Sequence, residues 1–222
     1  MVARTIAAAA FAFLCTIVSA GALELTFRAT TGGEATTYAE TLKSVPGGFH
    51  ATVTSASEQS TMEMDSALQT RSWVFRAPRE KTEIEALLSG TTISIHGTVK
   101  GSPFAAAFDT DGLPWCEYQE LSLEGFGSGT APSMGFVTIN RSTMKLVKLK
   151  VLRKGPVDIL VQGMTVPAVE AVLLIEGVPE FLLRSRLWLR RSDGRYLRLV
   201  VPPLGGIGSS TLIELVGEDG SL

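Results

Sequence analysis

Residues 91–100 read Thr91-Thr92-Ile93-Ser94-Ile95-His96-Gly97-Thr98-Val99-Lys100. Ile93, Ile95 and Val99 fall on one side of an every-other-residue pattern; Thr92, Ser94, His96, Thr98 and Lys100 fall on the other. Successive side chains of a strand point to opposite faces, so this pattern describes a half-buried antiparallel strand. The same period extends outward. Leu23–Ala29 puts Leu23, Leu25 and Phe27 on one face, and Arg71–Ala77 does the same with Trp73 and Phe75. Further along, Met134–Asn140, Lys145–Arg153, Val157–Gln162, Val166–Glu176, Phe181–Arg191, Arg195–Val201 and Thr211–Val216 are rich in Val, Ile, Leu and Thr. That is strand composition. Gly32-Gly33, Pro46-Gly47-Gly48, Gly155-Pro156, Ser192-Asp193-Gly194 and Gly205-Gly206 punctuate the strands as turns, and Asp193-Gly194 predicts a tight hairpin.

Helical spacing occurs in Trp115–Leu123, where Trp115, Tyr118 and Leu121 recur every three residues. Pro114 stands at its start, and Gly125, Gly127 and Gly129 follow its end. Many short strands and one short helix around 115–124 predict an all-β, mostly antiparallel fold: a curved sheet forming an open or half barrel. The Gly125–Ser133 stretch reads as a connection inside one domain, because both flanks carry the same strand pattern.

The front of the chain has a different character. Arg4 precedes an apolar run, Ile6–Val18, broken only by Thr16, and Ala20-Gly21-Ala22 follows. This is the layout of a cleavable secretory signal, and the run is shorter than the roughly 20 residues a spanning helix needs. Residues 1–22 are therefore expected to be a signal peptide and 23–222 a single β-rich domain, periplasmic or secreted from a bacterium. After cleavage no stable transmembrane segment is expected. Phe13 and Leu14, not small residues, precede Cys15, which argues against lipidation there. Cys116 then remains as a lone thiol, so the exported domain is expected to rest on its core without an internal disulfide.

The net charge of −2 hides a segregation: Leu23–Gly125 carries a net −7, and the remainder from Phe126 a net +4. Either the two halves pair across one sheet, or the basic half steers an anionic partner. The export signal and acidic total argue against nucleic acid as that partner.

Catalytic material is sparse. His50 and His96 have no partner at metal-ligand spacing, and the sequence calls for no metal or other cofactor. No G-x-S-x-G elbow is present, and Gly205-Gly206-Ile207-Gly208 opens no helix as a phosphate loop does. Asp109, Asp111 and Glu120 resemble parts of a calcium loop, but Leu113 and Pro114 occupy positions that need an oxygen ligand and a glycine. Cys116 reads as a buried, inert thiol rather than a nucleophile. Glu83 and Glu85 share a strand face and are more simply solvated than catalytic. Asn140-Arg141-Ser142 matches a glycosylation sequon, a chance match in a bacterial chain. The most distinctive cluster is basic: Arg184, Arg186 and Arg190 share a strand face with Trp188, and Arg195 and Arg198 return beside them across the hairpin. Such a face suits an anionic headgroup, or simply a solvent face balanced by acidic strands.

Asp111-Gly112-Leu113-Pro114-Trp115-Cys116-Glu117-Tyr118-Gln119-Glu120-Leu121-Ser122-Leu123 and Leu187–Arg198 resemble a group of uncharacterised exported bacterial proteins. Their fold is that of the outer-membrane lipoprotein carriers, a strongly curved antiparallel sheet around a short helical plug. The resemblance implies an apolar cavity lined by Trp73, Phe75, Trp115, Tyr118, Leu121 and Trp188, with Arg184, Arg186 and Arg190 at a rim. The function it implies is non-enzymatic: binding or carrying a lipid-like or other apolar ligand, or a lipoprotein. Two other readings stay open: a structural or interaction protein of the envelope with a filled core, and a hydrolase of envelope glycans or lipids.

Overall fold

The computed structural model describes residues 21–180, 184–203 and 208–220. The predicted signal segment, save Gly21 and Ala22, lies outside the described residues, as do the first residues of the predicted Phe181–Arg191 strand and the Gly205-Gly206 turn.

The described residues form β1 (Ala22–Thr31), β2 (Glu34–Val45), β3 (Gly48–Ser55), β4 (Gln59–Asp65), β5 (Thr70–Ala77), β6 (Thr82–Ser89), β7 (Thr92–Val99) and β8 (Ser102–Asp109). Two helical turns follow, α1 (Gln119–Ser122) and α2 (Glu124–Ser128). The second half is β9 (Ser133–Asn140), β10 (Lys145–Val161), β11 (Met164–Ile175), β12 (Ser185–Arg190), β13 (Tyr196–Val201) and β14 (Thr211–Gly220). All belong to one antiparallel sheet ordered β8-β7-β6-β5-β4-β3-β2-β1-β14-β13-β12-β11-β10-β9. β1 pairs with both β2 and β14, so the first strand lies in the middle of the sheet and joins its two halves. The sheet does not close on itself; β8 and β9 are its edges. This is the open barrel that the alternating pattern predicted.

The alternation decides what is inside. Leu23, Leu25 and Phe27 of β1 are buried, Leu23 opposite Leu42 of β2, and Trp73 and Phe75 of β5 are buried opposite Ala86 and Ile84 of β6. Phe27 stacks on Tyr38 at 5.4 Å and meets Tyr196 edge-on at 6.0 Å. Truncating a fully buried aromatic such as Trp73 costs about 3–5 kcal/mol in comparable cores.

Several details depart from the sequence reading. β2, β3, β4, β6 and β8 lie outside the strand ranges expected from the sequence, and α2 runs through Gly125 and Gly127, the glycines expected to end the helix. Gly155-Pro156 is not a turn between strands; β10 runs through it, and the ladder with β11 shifts register between Arg153 and Gly155. Gly155 stands there at φ 151, so the irregularity is absorbed as a bulge and the pairing resumes. The helix begins later than the spacing implies. Trp115–Tyr118 is extended, because its backbone hydrogen bonds go to other strands, and helical turns start only at Gln119.

The predicted hairpin at Asp193-Gly194 is present. The Asp193 carboxylate accepts the Arg195 N–H at 3.0 Å, and Gly194 has φ 79. The turn lies directly on α2: a Cβ on Gly194 would fall 1.8 Å from the Glu124 carbonyl oxygen, and one on Gly127 2.6 Å from the Gly194 Cα. Both the dihedral and the backbone approach demand glycine. Gly194→Ala is expected to destabilise the domain by more than about 1 kcal/mol, measured as a lowered urea midpoint. An unchanged midpoint contradicts the packing of this hairpin on α2.

Candidate functional site

The stretch Pro114–Tyr118 crosses the trough and is stitched on both sides. Toward β9, the Cys116 N–H donates to the Val137 carbonyl and the Val137 N–H to the Pro114 carbonyl, each at 2.9 Å. Toward β5, the Thr70 N–H donates to the Trp115 carbonyl at 2.8 Å and the Glu117 N–H to Thr70 Oγ1 at 3.1 Å. Side chains repeat the pattern. Ser60 Oγ accepts from Trp73 Nε1 at 3.1 Å and from the Tyr118 hydroxyl at 2.8 Å. Glu117 Oε2 accepts from Trp115 Nε1 at 3.1 Å, the Ile139 N–H at 3.0 Å and Thr138 Oγ1 at 3.3 Å.

Above this plug lies a cavity of about 720 Å³. β2, β3, β13 and β14 supply Thr36, Tyr38, Val53, Leu199 and Ile213; the β3–β4 turn supplies Glu58. The plug supplies Glu117, Tyr118 and Glu120, and Arg141 reaches in from the β9–β10 turn. The Arg141 guanidinium lies 4.6 Å over the Tyr118 ring and 5.6 Å over that of Phe75, donates to Glu58 at 3.3 Å, and stands 3.9 Å from Glu117 Oε1. Tyr38 donates its hydroxyl proton to Glu120 Oε1 at 2.9 Å.

The floor holds carboxyls that water does not reach. Glu117 is pushed up to about 7 by burial, against the pull of Arg141 and its three hydrogen bonds. Glu40, on the inward face of β2 between Tyr38 and Leu42, has neither oxygen hydrogen-bonded among the described residues. Burial raises its carboxyl well above the usual range, and the nearby Glu120 and Glu124 charges add to the shift. The Tyr196 hydroxyl is also buried without a partner.

The chain matches no family model and no curated protein. Its fold has counterparts among solved structures. A beta-barrel-like protein of the domain of unknown function DUF1849, from Brucella abortus, superposes with a TM-score of 0.60 over 90% of this chain and 98% of that one, at 12% identity. A domain described as an outer membrane lipoprotein-sorting protein, from Vibrio parahaemolyticus, gives 0.34 over 91% and 86%, at 10% identity. A DUF1329 family protein from Desulfovibrio piger gives 0.32 over 93% and 88%, at 9% identity. The half-barrel that the sequence resemblance implied is the fold observed.

Of the residues expected to contact a ligand, Tyr118 is the one that lines this cavity; Glu120 and Arg141, noted in the sequence only as parts of a calcium-loop likeness and a sequon, line it as well. Trp73, Phe75, Trp115 and Leu121 are buried in the continuous core beneath it. Arg186, Trp188 and Arg190 lie on the outer face of β12, opposite the inward Leu187 and Leu189. There the Arg186 guanidinium covers the Trp188 ring at 4.9 Å and donates to Glu170 at 3.0 Å. Arg190 binds Asp193 and Glu218, Arg198 binds Glu214, and Arg195 binds Glu124 and Glu218. Arg184 is exposed just before β12. The basic cluster is thus largely matched by acids, and it does not line the cavity.

Elsewhere, Glu83 and Glu85 are exposed beside Arg76 and His96, His50 pairs with Glu63, and Asp111 pairs with Lys148. Cys116 is buried, and its thiol is pushed up to about 12 by burial. Tyr38, Glu58, Glu117, Glu120 and Arg141 were not expected as a cluster. The legible signal was Glu40, a carboxylate at an inward register position of an alternating strand.

Glu117 and Glu40 hold a proton more tightly folded than unfolded, so each lowers stability as pH rises from its unfolded value through its folded one. For Glu117 that window runs from 4.5 to about 7, and for Glu40 it starts at the same point and reaches well above it. Asp193 and Glu218, held low, act in the opposite sense and below this window. The urea midpoint is expected to fall between pH 5 and pH 8, and Glu40→Gln to flatten that fall while raising stability at pH 8. An unchanged slope in the variant contradicts the assignment.

Proposed function

We propose that the protein is an exported, non-enzymatic binding or carrier protein that holds a lipid-like or other apolar ligand in the half-barrel cavity. The observation that carries this reading is the cavity itself. Its roughly 720 Å³ falls within the range typical of small-molecule sites. Val53, Leu199 and Ile213 give it apolar walls, and Tyr38, Tyr118, Arg141 and the carboxylates give it a polar floor. An amphipathic molecule fits that division, with the apolar part along the strands and the polar part at the plug. The bacterial envelope is the expected location, on the strength of the leader-like first 22 residues. A lipoprotein's acyl chain is one source of such a ligand and a free lipid another.

One observation keeps a second reading in view. Glu117 and Glu120 line a single cavity, as the paired carboxylates of a hydrolase do. A hydrolase would convert the ligand on incubation, whereas a carrier returns it unchanged.

Native mass spectrometry of the protein purified from the periplasm of an expressing bacterium, followed by solvent extraction, tests the reading. A reproducible adduct that extracts as a lipid-like molecule, unaltered, is the expected result. Thr36 and Ile213 both pair with Ala29 of β1 and so lie in one row at the cavity. The double substitution Thr36→Trp, Ile213→Trp is therefore expected to lower adduct occupancy at least about fivefold, a loss of ~1 kcal/mol in binding. A bare polypeptide mass that stays bare after incubation with envelope lipids overturns the carrier.

A further inference from the structure

We infer that the polar end of the ligand is a cation with N–H donors, an amine or ammonium group, seated against Glu117 and Glu120. The inference rests on the cavity being a ligand site and adds the chemistry of its occupant.

Three carboxylates, Glu58, Glu117 and Glu120, line the cavity against one cation, Arg141. That cation is already engaged: it is bonded to Glu58 and stacked on Tyr118 and Phe75. An acidic lining alone would be a solvated surface. Glu117 is not at the surface. Its side chain is 1% exposed, and although Oε2 takes three hydrogen bonds, Oε1 takes none. Arg141 Nε, at 3.9 Å, is beyond hydrogen-bond reach of it. A buried carboxylate oxygen without a donor, on a residue that lines the cavity, is costly, and a ligand N–H that reaches it past Arg141 offsets that cost with a charge-assisted bond.

Aromatic faces add to the match. Tyr38 and Tyr118 stand at the same floor; each has one ring face taken, by Phe27 and by Arg141, and a desolvated cation is attracted to the other. An anionic head meets the opposite situation: the arginines of β12 lie on the outer face, and the lining has a surplus of negative charge.

The test uses the full chain, exported by its host, purified from the periplasm and stripped of lipid. It is titrated calorimetrically with dodecylamine, dodecanol and dodecanoate, each below its micellar concentration. Dodecylamine is expected to bind at least about tenfold more tightly than dodecanol, the equivalent of one charge-assisted hydrogen bond. Glu117→Gln is expected to abolish that preference, bringing the dodecylamine and dodecanol affinities of the variant to within about twofold of each other. Glu120→Gln, which alters a partly exposed side chain, is expected to reduce the preference and serves if the first variant does not fold. Dodecanoate binding most tightly, dodecylamine merely equalling dodecanol, or an amine preference that survives in the folded variants would overturn the cationic head while leaving the cavity reading intact. If none of the three binds, the cavity reading fails as well.

Discussion

The Glu117 carboxylate accepts hydrogen bonds from Trp115 on its own segment and from Thr138 and Ile139 on β9, while its backbone N–H is held by Thr70 at the start of β5. One residue thereby ties together parts of the sheet that no strand pairing connects. An open antiparallel sheet of this length has an apolar concave face that cannot be left to water. The Pro114–Leu123 stretch covers it, burying Trp115, Cys116, Leu121 and Leu123 almost completely. The plug's own backbone then needs partners inside the trough, and the alternating bonds to β9 and β5 supply them. Its conformation follows: extended where it bonds to strands, helical only beyond Tyr118.

The plug fills the trough at one level and leaves it open at another, where the cavity lies. Carboxyls cluster at that boundary. Glu40 without a partner, Glu117 with one free oxygen and the unpaired Tyr196 hydroxyl are the kind of burial that a core selected for stability alone would replace with apolar groups. Glu117 lines the cavity, and Glu40 and Tyr196 stand beside its lining Tyr38, Glu40 two positions along β2 and Tyr196 across Phe27, so these groups gather at the cavity's base. Arg141 fits the same account. It comes from a turn, crosses to Glu58 on another turn, and lies over Tyr118 and Phe75, so it covers the aromatic floor and partly compensates the acids.

Much of the architecture was legible in the sequence because period-two alternation is a local property. β1, β5 and β7 are written in residues such as Leu23, Trp73 and Ile93, and Asp193-Gly194 marks its own turn. β2 and β8 were harder to read. β2 carries Glu40 where an apolar residue is expected, and β8 is built on Phe104-Ala105-Ala106-Ala107-Phe108, whose alanines do not alternate in polarity. The site was mostly illegible, because it depends on which turns come together. Arg141 reads as part of a sequon until the β9–β10 turn is seen to face Glu58, and Glu120 reads as a calcium-loop remnant until Tyr38 donates to it. The β12 arginines failed as a guide for the converse reason: their spacing fixes a shared face but not which side of the sheet that face is on, nor that Glu170, Glu214 and Glu218 answer them.

The fold is shared with a beta-barrel-like protein of only 12% identity, so it limits the shape of the function without naming it. The proposed function requires a ligand in the space above the plug. Methyl-labelled NMR of the protein as purified, compared with the same protein after lipid extraction, tests this most directly. Under that proposal the Val53, Leu199 and Ile213 methyls are expected to shift on extraction and to show cross-relaxation to ligand protons beforehand. Identical spectra, or ligand contacts confined to the exposed Leu160 and Met164 at the far end of the β10–β11 hairpin, would contradict it.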